Sequence, residues 1–130
     1  MGDQVAEATP VIVVLPTEID VTNCDEVLTK LAVALAPGVS LVIADMTSTI
    51  FCDTSGVRAL VEAYDRAVID DIGFRLAISA EGSVRRVLEL TGIIRLLPVY
   101  LGLDEAIRTG TSLETAHHDH RHVVLAEAER

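Results

Sequence analysis

The 130-residue sequence predicts a single α/β domain, with a mostly parallel or mixed open sheet of about four to five strands and about four helices. Short aliphatic runs, which are typical of strands in a parallel sheet, alternate along the chain with segments of helical period. Half of the residues are hydrophobic, yet only two Phe, two Tyr and no Trp occur. The core is therefore expected to be aliphatic.

Three aliphatic runs predict the main strands, and two weaker segments are candidates for edge strands. The strong runs are Val11 to Leu15, read as buried on both faces, Val39 to Asp45, and Phe74 to Ser79. Gln4 to Glu7 is a candidate short edge strand. Ile93 to Leu101 contains a last strand, which Pro98 marks as an edge.

Apolar residues at helical spacing predict the helices. The first helix is indicated by Cys24, Val27, Leu28, Leu31 and Leu35, and the second by Val57, Leu60, Val61, Tyr64 and Val68. A short third helix follows Ser83, a candidate N-cap, and ends at Gly92 in the position of a left-handed C-cap. Leu103, Ala106 and Ile107 indicate a final helix.

The domain is expected to occupy residues 1–112, and residues 113–130 are expected to form a flexible polar tail. The tail holds His117, His118, His120 and His122, of which His118 and His122 have a spacing that metal sites use. A solvated tail of biased composition explains the same residues, and no metal is predicted.

Charge and composition exclude several classes of partner. The formal net charge of -10 repels a phosphate backbone, and the scarcity of aromatic residues removes the usual stacking platforms, so nucleic acid is excluded. The apolar runs are shorter than the roughly 18 residues of a membrane span. Cys24 and Cys52 form no CxxC pair, and the N-terminal residues lack the pattern of a secretory signal, which predicts a cytoplasmic protein.

The segment from Ala44 to Leu60 joins a buried strand to an amphipathic helix through a polar loop that ends in Asp53-Thr54-Ser55-Gly56. A hydroxyl group there lies at a helix N-terminus, where backbone N–H groups and the helix dipole favour an added phosphate. The same residue types are also usual in an ordinary helix cap. Spacing alone leaves both interpretations open.

The segment resembles the signature loop of STAS domains in anti-sigma-factor antagonists, where a D-S-S/T-G tetrapeptide carries a regulatory phosphoserine. The resemblance extends from about Val11 to Ile107. It includes Leu15 to Asp20 for the family's L-x-G-E-L/I-D turn and Leu88 to Ile93 for its L-x-x-x-G-L segment. The sequence is particularly similar to actinobacterial members, many of which are stand-alone domains.

The resemblance implies that Thr54 is the phospho-acceptor, with Ser55 as the alternative, and that Asp53 and Gly56 match the flanking positions. Thr54 stands where the family more often has serine, and Thr17 where the earlier turn has glycine. The resemblance implies that the turn residues Glu18, Asp20, Thr22 and Asn23 contact the partner. The same turn can be interpreted as an ordinary cap of the first helix, with Asp20, Thr22 or Asn23 as the cap residue.

The implied function is partner switching in transcription regulation during a stress response. The unmodified domain would bind an anti-sigma factor of the histidine-kinase-like ATPase fold and so free a sigma factor. Phosphorylation would end binding, and a phosphatase would restore it. The chain itself would be a monomer or weak homodimer without a cofactor.

An enzyme is not expected, because Ser55 lies in no G-x-S-x-G elbow, no His precedes His117, and no Walker-type glycine loop occurs. Two other STAS functions remain open at this point. One is a module that senses a nucleotide or lipid, and the other is a scaffold in a larger signalling assembly.

Overall fold

The structure is a computed structural model that describes residues 9–108. Its elements follow one another as β1 (Val11–Val14), β2 (Glu18–Ile19), α1 (Cys24–Ala34), β3 (Leu41–Met46), β4 (Phe51–Cys52), α2 (Thr54–Ile69), β5 (Gly73–Ile78), α3 (Val84–Leu90), α4 (Ile93–Leu96), β6 (Val99–Leu101) and α5 (Leu103–Ile107).

The main sheet has the strand order β1-β3-β5-β6, and all of its pairings are parallel. A second sheet consists of β2 paired in parallel with β4. The α/β prediction is confirmed, with five helices in the described residues where about four were expected. Because every strand of the main sheet points the same way, the loops that follow the strands gather at one end of the domain.

One face of the main sheet packs against α1 and α2 in a continuous aliphatic core. Val42, Leu76 and Ile78 of the sheet and Leu31 and Leu60 of the helices have no solvent exposure. This packing fixes α1 and α2 side by side, with both N-termini near the carboxyl ends of the strands.

The opposite face of the sheet carries a smaller cluster, in which Ala106 of α5 packs near Ile43, Ala77 and Tyr100. Arg75 lies over the Tyr100 ring, with its guanidinium carbon 5.4 Å from the ring centroid. Its Nη1 also donates to the carbonyl oxygen of Ala106 at 2.7 Å. The arginine therefore holds the last turn of α5 against the sheet.

The first strand departs from the prediction that it is buried on both faces. Its residues alternate, and the side chains of Ile12 and Val14 are 39% and 60% exposed. The reason is that β1 is a terminal strand of the described sheet and that α1 covers only one of its faces.

Two helical segments also differ from the sequence prediction. Val68 was expected on the buried face of α2 but is 59% exposed, and the neighbouring Ala67 faces the core instead. Ile93 begins the short helix α4, since Gly92 adopts a left-handed conformation and Ile93 and Leu97 bury one face. The last strand is thus confined to the residues after Pro98.

Some predictions lie outside the described residues. These are the candidate edge strand at Gln4 to Glu7, the domain boundary at residue 112, and the histidine-rich segment within 113–130.

Candidate functional site

The polar loop after β3 is fixed by two threonine side chains. The Asp45 carboxylate accepts hydrogen bonds from the backbone N–H and the hydroxyl of Thr47, at 2.9 and 2.7 Å. Thr49 is buried and its hydroxyl donates to the carbonyl oxygen of Pro16 at 2.8 Å. The loop is therefore tied both to its own strand and to the segment that follows β1.

The pairing of β2 with β4 brings two predicted site segments together. Glu18 is opposite Phe51, and Ile19 is opposite Cys52. Directly after this pair, the backbone N–H of Asp53 donates to the carbonyl oxygen of Ile19 at 3.1 Å. The turn after β2 and the start of α2 consequently lie side by side. This is the arrangement that the two segments need if they are to contact the same partner.

Asp53 is the N-cap of α2. Its Oδ1 accepts hydrogen bonds from the backbone N–H groups of Ser55 and Gly56, at 2.9 and 3.2 Å. Thr54 is the first residue of the helix and is exposed, and its hydroxyl makes no hydrogen bond within the described part of the chain. Ser55 is half-buried. The Thr54 hydroxyl is thus accessible to another protein, while Asp53 stabilises the helix start.

Gly56 has a packing role that its position in the tetrapeptide did not indicate. A Cβ atom at this residue would lie 2.5 Å from Sγ of Cys52 and 2.7 Å from Cγ2 of Ile19. Both of those side chains are buried. The absence of a side chain at Gly56 therefore allows the first turn of α2 to rest directly on the β2–β4 pair.

The turn between β2 and α1 is closed by its own side chains. Asp20 accepts hydrogen bonds from the hydroxyl and the backbone N–H of Thr22, at 2.5 and 2.9 Å. These bonds to Thr22 lower the pKa of the Asp20 carboxyl. Asn23 accepts from the Asp20 N–H through Oδ1 and donates to the Glu18 carbonyl oxygen through Nδ2, at 2.9 and 2.8 Å.

Of the three candidate caps for α1, Asn23 has the N-cap position, but its side chain makes no capping hydrogen bond to the helix. Its amide is used to bind the turn, because both of its polar atoms are engaged with Glu18 and Asp20. Ser83 likewise takes the N-cap position of α3 without capping it. Its hydroxyl donates to the carbonyl oxygen of Ile50 at 3.1 Å, which joins α3 to the loop before β4.

Cys52 is buried beneath the loop, in surroundings that favour its protonated thiol over the thiolate. Burial, and secondarily the charge of Asp53, raise the pKa of Cys52 to about 11. A thiol with such a pKa is not a nucleophile near neutral pH. Cys52 therefore belongs to the packing of the site.

A groove of about 280 Å³ lies between α1 and α2, next to the exposed hydroxyl. It is lined by Val21, Cys24, Asp25, Leu28, Ser55, Arg58, Ala59 and Glu62. Sequence analysis did not single out Arg58, which follows Thr54 by one helical turn. The i, i+4 spacing between Thr54 and Arg58 is the sequence feature that could have identified Arg58 as a neighbour of Thr54.

Apolar side chains are exposed beside Thr54. Val21 is 73% exposed, Ile50 63% and Phe51 47%. Sequence periodicity could not identify this patch, because Ile50 and Phe51 belong to an irregular loop and a two-residue strand. Exposed apolar residues on the segments that flank an exposed hydroxyl are typical of a protein-interaction surface.

Residues 9–108 contain neither a candidate metal site nor a candidate membrane-spanning helix. No group of three or more His, Cys, Asp or Glu side chains in that range is arranged to hold a metal ion. No helix described there is long and apolar enough to cross a membrane.

Comparisons with known proteins place this geometry in a family. A comparison with curated proteins returned no match. Among solved structures, the chain is similar to an anti-sigma factor antagonist from Mycobacterium paratuberculosis, with a TM-score of 0.66 and 24% identity over 74% of this chain and 80% of that one. It is also similar to a proposed anti-sigma factor antagonist from Thermotoga maritima, with a TM-score of 0.64 and 20% identity over 74% of this chain and 84% of that one.

These two structures show the fold that the chain shares with them. The sequence model of the STAS domain matches residues 3–106, which is most of the chain and includes every element of the candidate site. The chain therefore belongs to the STAS domain family.

Proposed function

We propose that this protein is an anti-sigma-factor antagonist that works by partner switching in the cytoplasm. In its unmodified form it binds an anti-sigma factor of the histidine-kinase-like ATPase fold and frees a sigma factor. Phosphorylation of Thr54 ends that binding, and a phosphatase restores it. The protein acts by binding and has no turnover of its own.

The observation that carries the proposal is the exposed Thr54 hydroxyl, together with the exposed side chains of Val21, Ile50 and Phe51 on the segments around it. An apolar patch supplies the contact area that a protein partner buries. A modifiable hydroxyl at its edge allows the same patch to be switched. The chain is similar to one structure described as an anti-sigma factor antagonist and to a second described as a proposed one. This similarity supports the choice of an anti-sigma factor as partner.

The charges near Thr54 explain how a phosphate would act. Glu18, Asp20, Asp25 and Asp53 lie on the segments around it, in a chain of net charge -10. A phosphate placed among these carboxylates is subject to like-charge repulsion, which the loss of water in an interface strengthens. A phosphate adds about -1.5 to -2 charges at neutral pH and must be desolvated if the patch is covered, so it opposes docking on the apolar patch.

The transfer itself requires only a nucleophilic oxygen from this chain. Oγ1 of Thr54 forms a bond to the γ phosphorus of ATP held by the kinase, and the bond from that phosphorus to the β–γ bridging oxygen breaks. ADP leaves, and the hydroxyl proton passes to a base of the kinase. The exposure of Thr54 gives the kinase access to this oxygen.

Thr54→Asp and Thr54→Ala test the proposal. Neither should unfold the domain, because Asp53 rather than Thr54 caps α2, and an exposed substitution of this kind changes stability by about 0.5 kcal/mol or less. Thr54→Asp should weaken partner binding at least about tenfold, which corresponds to 1.4 kcal/mol. Thr54→Ala should bind and resist phosphorylation. Two quantities are measured for each variant. One is its affinity for the anti-sigma factor by calorimetry, and the other is its intact mass after incubation with the anti-sigma factor and ATP.

Two variants serve as controls. Ser55→Ala removes the alternative acceptor and should still gain one phosphate. Thr29→Asp adds the same charge to an exposed threonine of α1 that lines a different groove, and it should bind like the wild type. The assignment is wrong if Thr54→Ala is phosphorylated as fully as the wild type, or if Thr54→Asp binds no more weakly than Thr29→Asp.

A further inference from the structure

Arg58 occupies a distinctive position relative to both candidate acceptors. It follows Thr54 by four residues and Ser55 by three on α2, and it is exposed at the groove between α1 and α2. Residues at these spacings are neighbours on a helix surface. Long side chains in a helix also lean toward its N-terminus, which directs the guanidinium group toward the first turn.

Within residues 9–108, the charge of Arg58 is not engaged by another side chain. Among residues 9–108 it takes part in no ion pair, whereas Arg66 on the same helix lies 3.5 Å from the Glu62 carboxylate. Arg58 is also the one cationic side chain among the described residues that line the groove. It is therefore available to an anion placed on the first turn of α2.

The backbone of the helix start is less available. The Ser55 and Gly56 N–H groups already donate to the Asp53 carboxylate. A phosphate on Thr54 would have to displace that carboxylate to use them. A side-chain cation is consequently the better partner, and guanidinium binds phosphate through strong charge-assisted hydrogen bonds.

We propose that Arg58 is the intramolecular partner of the phosphate on Thr54 and holds it against the first turn of α2. This inference rests on the proposed function, because it assumes that Thr54 carries the phosphate. Its consequence is that phosphorylation neutralises the one cation of the groove as well as adding negative charge. The switch then changes the surface in two ways without refolding.

The test uses the full chain with phosphothreonine incorporated genetically at position 54, so that no kinase is needed. The second pKa of the phosphate is read from a phosphorus NMR titration in low salt. A nearby guanidinium favours the dianion, so Arg58→Gln should raise this pKa by about 0.2 to 0.7 pH unit, the range that an exposed ion pair provides. Arg58→Lys should lie between Arg58→Gln and the Arg58 protein.

Arg66→Gln is the matched control, since it removes the same charge from the same helix twelve residues beyond Thr54. It should leave the phosphate pKa unchanged. Equal shifts in Arg58→Gln and Arg66→Gln, or no shift in either, would overturn the proposal. Because the titration needs no partner, its result is independent of whether the phosphorylated protein releases the anti-sigma factor, which is measured separately on the same sample.

Discussion

Gly56→Ala adds one methyl group at the point where α2 meets the β2–β4 pair. The new Cβ would lie 2.5 Å from Sγ of Cys52 and 2.7 Å from Cγ2 of Ile19, both in side chains that are at most 1% exposed. Ordinary contacts between such atoms are about 3.5 to 4.0 Å. The first turn of the helix must therefore move outward by about 1 Å, and Thr54 must move with it.

The magnitude follows from two opposing terms. Overpacking of a well-packed site costs about 1 to 3 kcal/mol. Alanine is favoured over glycine within a helix by about 0.5 to 1 kcal/mol. These terms leave a net loss of about 0 to 2.5 kcal/mol in the free energy of unfolding. Because two contacts would be shorter than 3.0 Å, we expect about 1 to 2 kcal/mol, which in a domain of this size lowers Tm by about 4 to 16 °C.

The assay is urea unfolding followed by circular dichroism for Gly56→Ala, Cys52→Ala and the double variant. Cys52→Ala alone leaves a small cavity and should cost about 1 kcal/mol. It also removes the closest obstacle to the new methyl group. The double variant should therefore be more stable than the sum of the single losses by at least about 0.5 kcal/mol. Rescue is incomplete because the contact with Ile19 remains.

Two results would refute this reasoning. One is a Gly56→Ala protein as stable as the wild type, which would mean that the helix moves at no cost. The other is strict additivity in the double variant, which would mean that the Cys52 sulfur is not the atom that limits the approach.

The other predictions concern two titrating groups. Because burial raises the pKa of Cys52 from 9.0 to about 11, the folded state keeps the thiol proton at a pH where the unfolded chain loses it. The stability that this thiol contributes is therefore complete below about pH 9 and is lost as pH rises toward 11. Urea unfolding at each pH should show this loss in the wild type and not in Cys52→Ala. Native protein at pH 8 should accordingly be alkylated by iodoacetamide at the half-buried Cys24 and not at Cys52, as peptide mass spectrometry would show. The pKa of Asp20 is held below 3.8 mainly by the Thr22 hydroxyl, so Thr22→Val should raise this carboxyl pKa in a carbon-13 NMR titration. The stability that the Asp20 carboxylate contributes is present above pH 3.8 and is lost as pH falls through its folded pKa. An unchanged pKa in Thr22→Val would mean that Thr22 does not stabilise this carboxylate.

The elements of the main sheet were predictable because their aliphatic runs have few alternatives. Leu41–Met46 and Gly73–Ile78 lie within one or two residues of the predicted ranges. The exposure of Ile12 and Val14 was not predictable, since a run of β-branched residues looks the same in a central strand and in a terminal one. Position within a sheet is a tertiary property that local sequence does not contain.

At the candidate site, the start of α2 was predictable from the sequence, but the contacts between distant segments were not. The tetrapeptide indicated a helix start, and Asp53 does cap α2. The contact of Gly56 with Ile19 joins residues 37 positions apart in the sequence, so no local pattern could reveal it. For the same reason Ser83 was interpreted as a cap, although its hydroxyl binds the Ile50 carbonyl oxygen across a similar separation.

The hydrogen bonds that fix the loop before Thr54 determine how other proteins must recognise it. Thr49 binds Pro16, the Ile50 N–H donates to the Thr17 carbonyl oxygen, and Ser83 binds Ile50 from a third segment. The loop is thus ordered before any partner arrives, and docking loses little conformational entropy there. Any kinase or phosphatase that acts on Thr54 must accept a preformed surface assembled from distant parts of the chain. Recognition then belongs to the folded domain, and a short peptide with the same DTSG sequence would lack it.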